Sequence, residues 1–549
     1  MRIDCANDAP EAVTADVAIV GSGAAGQAAA RRLLARGHSV VLLESGGLDH
    51  DEASADLNRG SIVGQDYHPL EHSRLRFFGG TTAIWGGRCA EFDAIDFERR
   101  DWVSGSGWPI GPNDIHAYLG DARALLGVGA VDVARLPRPA LLQRLSSEEL
   151  AVRWWSFDPM FDRFTIDRSR DLEESPRCTL MIHATVREVM MADDKASIER
   201  LDVRTPSGRK IDVRARHFVL AAGGIENPRI LLASNSVVQH GVGNAYDLVG
   251  RYFMEHPHAR GGRIVGKAEW RWLSAFAKRR LNGVEVSPSI TPAESLQRRE
   301  GLLNSALTVA VRQPEGGSYS VAKRAYLHVK HHTAPTRTGR SMWKATKQLV
   351  RGYTGLTGPL HPWLMKRLTG LDLTLVIRAE QAPNPDSRVL LTGDKDALGM
   401  PRVALDWRLS AIDVDSVSGL VSALDRESRR LGLGAVEPAG WLARPDKRWV
   451  SDELVSAHPI GGFHHMGTTR MSADPRRGVT DGWGRVHGLP NLHIAGSSLF
   501  PTGGWANPTL TILALALRTA DRIADELLSA RPGFAAREVG STIGQSSSG

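Results

Sequence analysis

Apolar runs and their spacing mark out a parallel α/β unit at the start of the chain. Val17-Ala18-Ile19-Val20 is a short uninterrupted apolar run, which predicts a strand buried on both faces. It enters Gly21-Ser22-Gly23-Ala24-Ala25-Gly26, and an Ala-rich helix follows from Gln27 to Ala35. Gly37 suits the residue after that helix, and Val40-Val41-Leu42-Leu43 predicts a second strand ending at Glu44. His217 to Leu220 is another buried run. It passes into Ala221-Ala222-Gly223-Gly224, then Ile225 to Pro228 and a helix from Arg229 to Ala233. Far downstream, Asn491-Leu492-His493-Ile494 predicts a strand closed by Ala495-Gly496-Ser497, and a long helix runs from Pro508 to Leu528. In the middle of the chain, Leu375 to Glu380, Arg388 to Leu391 and Arg402 to Trp407 read as strands of a sheet. The helix from Asp413 to Leu431 is expected to pack on it.

Composition then narrows the class. The 549 residues are 42% hydrophobic and 23% charged, enough apolar material for more than one core and too much for a disordered chain. Lys+Arg 68 against Asp+Glu 61 leaves +7, too small an excess over this length to argue for a nucleic-acid partner. The apolar stretch Ile512 to Leu517 is too short to span a bilayer, and Met1 to Thr14 lacks the pattern of a secretory leader, so a cytoplasmic location is expected. Cys5, Cys89 and Cys178 offer neither a disulfide framework nor zinc spacing, and no metal site is expected.

The glycine turn carries the first chemistry. Gly21 permits a tight turn, Gly23 lets backbone approach a pyrophosphate, and Gly26 lets helix and strand pack closely. The helix start offers unpaired N–H groups and a positive dipole end, and Glu44 stands where a carboxylate accepts from ribose hydroxyls. A glycine-rich turn in another α/β protein is the alternative, but both flanking strands and Glu44 are present. The later strands ending in Ala222-Gly223 and Gly496-Ser497 are typical of two-dinucleotide flavoproteins, so the cofactor expected is FAD rather than a nicotinamide. Pieces of one cofactor site this far apart mean a discontinuous domain.

Five blocks in order resemble one family. They are the glycine motif; Phe78-Gly79-Gly80-Thr81-Thr82-Ala83-Ile84-Trp85-Gly86-Gly87; Gly250 to His258; Glu380-Gln381 through Ser387; and His464-His465-Met466-Gly467-Thr468 through Ala506-Asn507-Pro508-Thr509-Leu510-Thr511. From about Asp16 to Leu528 the chain resembles the glucose–methanol–choline (GMC) flavin oxidoreductases. Its C-terminal block is most similar to the pyranose oxidase and sugar dehydrogenase branch. The resemblance implies an α/β fold: a discontinuous Rossmann-like FAD-binding domain (15–110, 175–260 and 455–530) and a substrate-binding domain (111–174 and 261–454) with a mainly antiparallel sheet backed by helices. It also carries cofactor contact onto Ala24, Ala25, Gly80, Thr81, Thr82, Trp85, Gly86, Val186, Ala222, Gly223, Gly496, Ser497, Pro508 and Thr509.

The activity implied is oxidation of a secondary alcohol, on a sugar or glycoside, to a ketone. The hydroxyl proton must go to a base and the carbon-bound hydride to flavin N5. His464 matches the family's catalytic histidine. His465, its neighbour in an extended segment, is expected on the other side, so that only one of the two faces the flavin; the alternative is a pair of structural histidines. Asn507 matches the position that hydrogen-bonds the substrate oxygen, and it also suits a helix N-cap before Pro508. Gln381 and His465 are expected in the substrate pocket, with a solvent-facing strand position as the alternative for Gln381. Ile84 stands where pyranose oxidase has the histidine that bonds FAD, and His72 lies off the motif, so FAD is expected to be noncovalent.

From Gly316 to Leu371 there is no Asp or Glu, while Lys323, Arg324, Lys330, Arg337, Arg340, Lys344, Lys347, Arg351, Lys366 and Arg367 fall there among Trp, Tyr and Leu residues. Three readings stand: a solvated insertion over the substrate entrance, a peripheral contact with anionic lipid, or a patch for an acidic partner. The electron acceptor is open between oxygen, a quinone and a redox protein. A redox-silent lyase and a subunit of a membrane-associated electron-transfer complex are the rival functions. The Ser/Gly-rich end, within 531–549, is expected to be disordered.

Overall fold

The computed structural model describes residues 1–129, 139–160, 162–281, 283–318, 321, 324–325, 335–455 and 463–529. Lys323, Lys330 and the 531–549 tail lie outside these residues. The described residues build three sheets.

The first sheet runs Arg2–Asp4, Cys178–Ile182, Val40–Leu43, Ala12–Val20, Lys210–Leu220, Ile198–Arg204, Thr185–Met191. The pairs from Arg2–Asp4 to Lys210–Leu220 are parallel, and the last two strands are antiparallel. Leu492–Ile494 adds in parallel beside Phe218–Leu220. Register aligns the strand ends: Val20 pairs with both Leu43 and Leu220, and Leu220 with Ile494. Gly21, Glu44, Ala221 and Ala495 therefore leave the sheet at one carboxyl edge, where open α/β sheets bind ligands. The helices Ala24–Ala35, Pro112–Leu126 and Thr509–Ser529 pack together on this unit. Thr509–Ser529 is buried on most sides by Leu513, Leu517, Ala520, Ile523 and Leu527.

The second sheet is wholly antiparallel: Ala435–Pro438, His258–Val265, Asp372–Arg378, Ala306–Arg312, Val284–Pro292, Leu150–Phe157, Arg88–Cys89, with Arg279–Leu281 beside Val284–Pro292. Its apolar face has its own core, in which Ile290, Leu307, Leu375 and Ile377 meet Val417, Leu420 and Leu424 of the helix Ala411–Arg430. Two strands depart from expectation. Arg388–Lys395 and Pro401–Asp406 pair with each other and with Gly60–Ile62 in a small third sheet, so only Asp372–Arg378 of the three segments joins the antiparallel sheet.

The helix expected from Arg229 starts earlier, at Gly223, and carries Pro228 inside it. Pro228 has no N–H for the Gly224 carbonyl one turn back, and the Thr468 hydroxyl takes up that carbonyl at 2.6 Å. The basic segment forms the helices Arg337–Thr357 and Leu360–Thr369. Its cations face carboxylates of the body: Arg337 meets Asp167 at 2.7 Å, Arg340 meets Asp49 at 2.7 Å, Lys344 meets Asp162 at 3.0 Å and Lys366 meets Glu269 at 2.7 Å. Large apolar side chains are exposed on these helices, with Leu349 76% and Leu356 90% exposed and Met342, Tyr353 and Leu364 exposed near them. No helix among the described residues is long and apolar enough to cross a membrane.

Candidate active site

A cavity of 420 Å³ lies between the carboxyl edge of the parallel sheet and the antiparallel sheet. The glycine turn forms one end. Gly21 has φ +100°, and a Cβ there would stand 2.7 Å from the Ala221 carbonyl oxygen. A Cβ on Gly26 would collide with the Gly21 carbonyl, so this residue serves packing and does not line the cavity. A Cβ on Gly23 would meet nothing within 4 Å: the backbone here faces open cavity at a helix N-terminus. Glu44 is held beside it by the Ser22 hydroxyl at 2.6 Å and by the Gly46 N–H at 3.0 Å. Arg74 and Arg76 also line this end, both bound to Glu226, at 3.2 and 3.1 Å. The carboxyl of Glu226 is buried, yet these guanidinium groups and Arg229 hold it well below the usual carboxylate range.

The other end holds a chain of four polar groups. His256 Nε2 lies 2.8 Å from the Gly504 carbonyl and 3.2 Å from that of Gly503. Carbonyls only accept, so Nε2 carries the proton. Burial depresses the His256 pKa and keeps the ring neutral, which makes its Nδ1 an acceptor. His464 Nδ1 stands 2.8 Å away and must therefore donate. The far nitrogen of His464, Nε2, is left without a proton and accepts from Asn507 Nδ2 at 3.1 Å. His464 and Asn507 both line the cavity.

The loop that brings Asn507 here is tied down by indole and hydroxyl groups. Trp505 Nε1 donates to Asp93 at 3.0 Å, the Thr502 hydroxyl to the Asp96 carbonyl at 2.7 Å, and Trp108 Nε1 to Thr502 at 2.8 Å. Behind the loop, Arg100 and Glu380 form a two-pronged ion pair at 2.9 and 2.5 Å, both 0% exposed. Pro508, Thr509 and Ile512 of the following helix also line the cavity, which turns a positive helix end toward it.

Glu255 braces the histidine segment. Its carboxylate accepts from the backbone N–H of His464 at 2.6 Å, from that of His256 at 2.9 Å and from the Tyr67 hydroxyl at 2.7 Å. Burial pushes its pKa up to about 7. Since Tyr67 gives its proton to Glu255, His465 Nε2 donates to the Tyr67 oxygen at 3.0 Å. Burial, then the charge of Arg74, takes the His465 pKa down to about 3, so this ring is neutral.

A family model described as GMC oxidoreductase matches residues 383–516, and one described as FAD dependent oxidoreductase matches residues 16–240. The chain is 25% identical over 573 residues to paromamine 6'-oxidase of Streptomyces fradiae, covering 94% of this chain and 92% of that one. It is 24% identical over 598 residues to the fructose dehydrogenase large subunit of Gluconobacter japonicus, covering 94% and 99%. The chain carries a GMC oxidoreductase C-terminal domain and an FAD oxidoreductase domain. It is an FAD-dependent enzyme of the alcohol- and sugar-oxidising kind. Pyridoxine 4-oxidase from Mesorbium loti, 16% identical, shares the fold with a TM-score of 0.56 over 92% of this chain and 98% of its own.

The residues present here fit FAD. The open backbone at Gly23, the carboxylate of Glu44 and the small residues Ala222, Gly223, Gly496 and Ser497 all border one cavity. Ala24, Ala25, Val186 and the turn residues Gly80, Thr81, Thr82, Trp85 and Gly86 border it too. Ile84 lines it, whereas His72 is exposed and outside it.

Two expectations are corrected. Gln381 is neither in the cavity nor facing solvent. It is fully buried, its oxygen accepting from the Glu255 N–H at 2.9 Å and Trp407 Nε1 at 3.0 Å, its nitrogen donating to the Arg408 carbonyl at 2.9 Å. Its amide is consumed in supporting Glu255. His464 and His465 do not divide between two sides: both line the cavity, because the segment before Met466 is not a regular strand and each ring is drawn to its own partner. Sequence reasoning misses the roles of His256, Glu255 and Tyr67, although the first two lie inside the Gly250 to His258 block.

Proposed function

We propose that this protein oxidises a secondary alcohol, on a sugar or glycoside, to the ketone, with His464 as the base. The observation that carries the reading is the hydrogen-bond chain from the Gly504 carbonyl through His256 to His464 and Asn507. It leaves His464 Nε2 unprotonated on the cavity side, accepting from Asn507 until an alcohol hydroxyl takes that place and gives up its proton. Asn507 Nδ2, now donating to His464, orients the substrate oxygen once an alcohol enters between them. Bound FAD supplies the hydride acceptor, at N5 of its ring. The substrate carbon loses its hydride and the oxygen its proton, and a C=O bond results. Paromamine and fructose in the names of the relatives support a sugar or glycoside as the class.

In the same reading FAD is noncovalent, since Ile84 offers no nucleophile at the cavity and His72 lies outside it. The FAD-binding domain takes residues 15–110, 175–260 and 455–530, and the substrate-binding domain 111–174 and 261–454; the parallel and antiparallel sheets support this division, while the helix Pro112–Leu126 packs with the first unit and Arg88–Cys89 pairs with the second. Three buried unpaired cysteines are in keeping with a reducing, cytoplasmic setting.

His464→Ala tests the assignment. Retained FAD with anaerobic reduction of the flavin slowed about 10²–10⁴-fold supports it; an unchanged single-turnover rate sinks it. A second reading, a subunit that passes electrons to a membrane-associated partner, draws on the exposed apolar side chains of the helices 337–369 and on the relative named as a large subunit. Co-purification with a cytochrome or with membranes tests it.

A further inference from the structure

We propose that Arg88 and Arg378 form a binding site for an anionic group, a carboxylate or a phosphate, carried by the alcohol substrate. The inference rests on the reading of this cavity as an alcohol-oxidising site and names the substrate class more closely. Arg88 belongs to the short strand Arg88–Cys89, and Arg378 ends the strand Asp372–Arg378. Both are half-buried and both line the cavity. Their guanidinium carbons stand 5.8 and 5.4 Å from the ring centre of Trp155, which is fully buried, and Arg88 is also 5.5 Å from that of Phe157. Aromatic faces of this kind hold a cation without neutralising it.

No carboxylate neutralises them. Among the described residues, neither side chain has an ion pair or a hydrogen bond, and Arg88 Nε is buried without a partner. The charges that bear on Arg378 are Arg88 and Arg312, both of the same sign. Arg312 and Glu285 bear on Arg88, and Glu285 already accepts from Lys278 Nζ at 2.5 Å. Burial first, then Arg312, pushes the Arg88 pKa down to about 10, and burial with Arg88 and Arg312 takes Arg378 well below the usual guanidinium value. Three other buried arginines are met by carboxylates, Arg100 by Glu380, Arg229 by Asp396 and Arg260 by Asp452, while Arg470 is held by the Gly105 carbonyl and the Tyr252 ring. Two neighbouring cations left open to a cavity are destabilising unless an anion joins them.

Their place selects the substrate rather than the dinucleotide phosphates. Arg378 is in register with His258, two residues beyond His256, and its charge reaches the His256 ring. The glycine turn at Gly23 belongs to the other sheet. Planar guanidinium groups match the paired oxygens of a carboxylate or phosphate, and the charge-assisted bonds are strong.

The test titrates the FAD-loaded enzyme with D-glucose, D-glucuronate and D-glucose 6-phosphate, reading tryptophan fluorescence for binding and the flavin band for reduction. An anionic probe that binds at least about tenfold tighter than glucose supports the site, and glucuronate against glucose 6-phosphate separates the two anions. In Arg88→Gln and Arg378→Gln the preference is expected to fall to within about twofold, with FAD content retained, while Arg378→Lys keeps part of it. Equal binding of all three probes, a preference that survives both Gln variants, or loss of FAD from them overturns the proposal. Melting temperature gives a check that needs no ligand: Arg378→Met is expected to raise it, and a fall overturns the proposal by showing a structural role. Anion preference with no bleaching by any alcohol leaves this site standing and removes the proposed oxidation.

Discussion

Two pairs of arginines border the same cavity under opposite electrostatic conditions. Arg74 and Arg76, at the nucleotide end, share the carboxylate of Glu226, which also holds Arg229. Arg88 and Arg378, at the histidine end, share only the face of Trp155. The first cluster has a carboxylate before any ligand arrives, although Arg74 keeps a buried Nε without a hydrogen-bond partner and burial takes its pKa down to about 9. The second is left unfinished, and an unfinished buried charge marks where a ligand is to supply the counter-charge.

Glu226→Ala is the sharpest way to break this contrast. It leaves Arg74 and Arg76 without a carboxylate, Arg229 keeping Asp396, and is expected to destabilise the fold by about 3–5 kcal/mol, read by chemical denaturation. A loss no larger than that of an exposed site would remove the distinction between the two ends. Glu255 comes next. Its pKa of about 7 lies above the ordinary 4.5, so the fold favours the protonated form. That stabilisation is full below pH 4.5 and is lost as pH rises through 7. The stability difference between the native protein and Glu255→Gln should therefore shrink by about 3 kcal/mol from pH 4.5 to pH 8. A pH-independent difference would mean the carboxyl titrates normally.

His256→Phe removes the acceptor for His464 Nδ1–H without touching the cavity face of His464. An expected fall of about 10²-fold in kcat at constant FAD content, partly restored by His256→Gln, would mark His256 as a positioning residue that sets the tautomer. Loss of FAD in parallel would make its role structural. The smallest effect belongs to Arg337→Ala, whose pair with Asp167 is exposed on both sides. At most about 1 kcal/mol should be lost.

Local pattern carried the parallel sheet well. Val17 to Val20, Val40 to Leu43 and Leu492 to Ile494 are uninterrupted apolar runs buried on both faces, and they stand where such runs predict. His464 and Asn507 came from motif position, and the structure brings them within hydrogen-bonding distance. Other features depended on partners distant in sequence. Gln381 looks like a pocket residue until Trp407 and Glu255 claim its oxygen. Pro228 argues against a helix until Thr468 takes the carbonyl it leaves free. The acid-free stretch from 316 to 371 suggests a charged surface, but carboxylates distant in sequence pair with Arg337, Arg340, Lys344 and Lys366, and large apolar side chains stand exposed beside them. Charge in a sequence locates cations; only the fold says which of them are already matched.

The strand Leu492–Ile494 and the helix Thr509–Ser529 have one more consequence, for synthesis. The strand lies beside Phe218–Leu220 and the helix packs on Ala24–Ala35, so the first unit to leave the ribosome waits for the last. The nascent chain holds an incomplete sheet with an exposed edge through most of translation, when aggregation is the competing fate. FAD can lock the sheet only once Leu492–Ile494 and Thr509–Ser529 have emerged, which makes cofactor supply at that moment a determinant of the yield of folded enzyme.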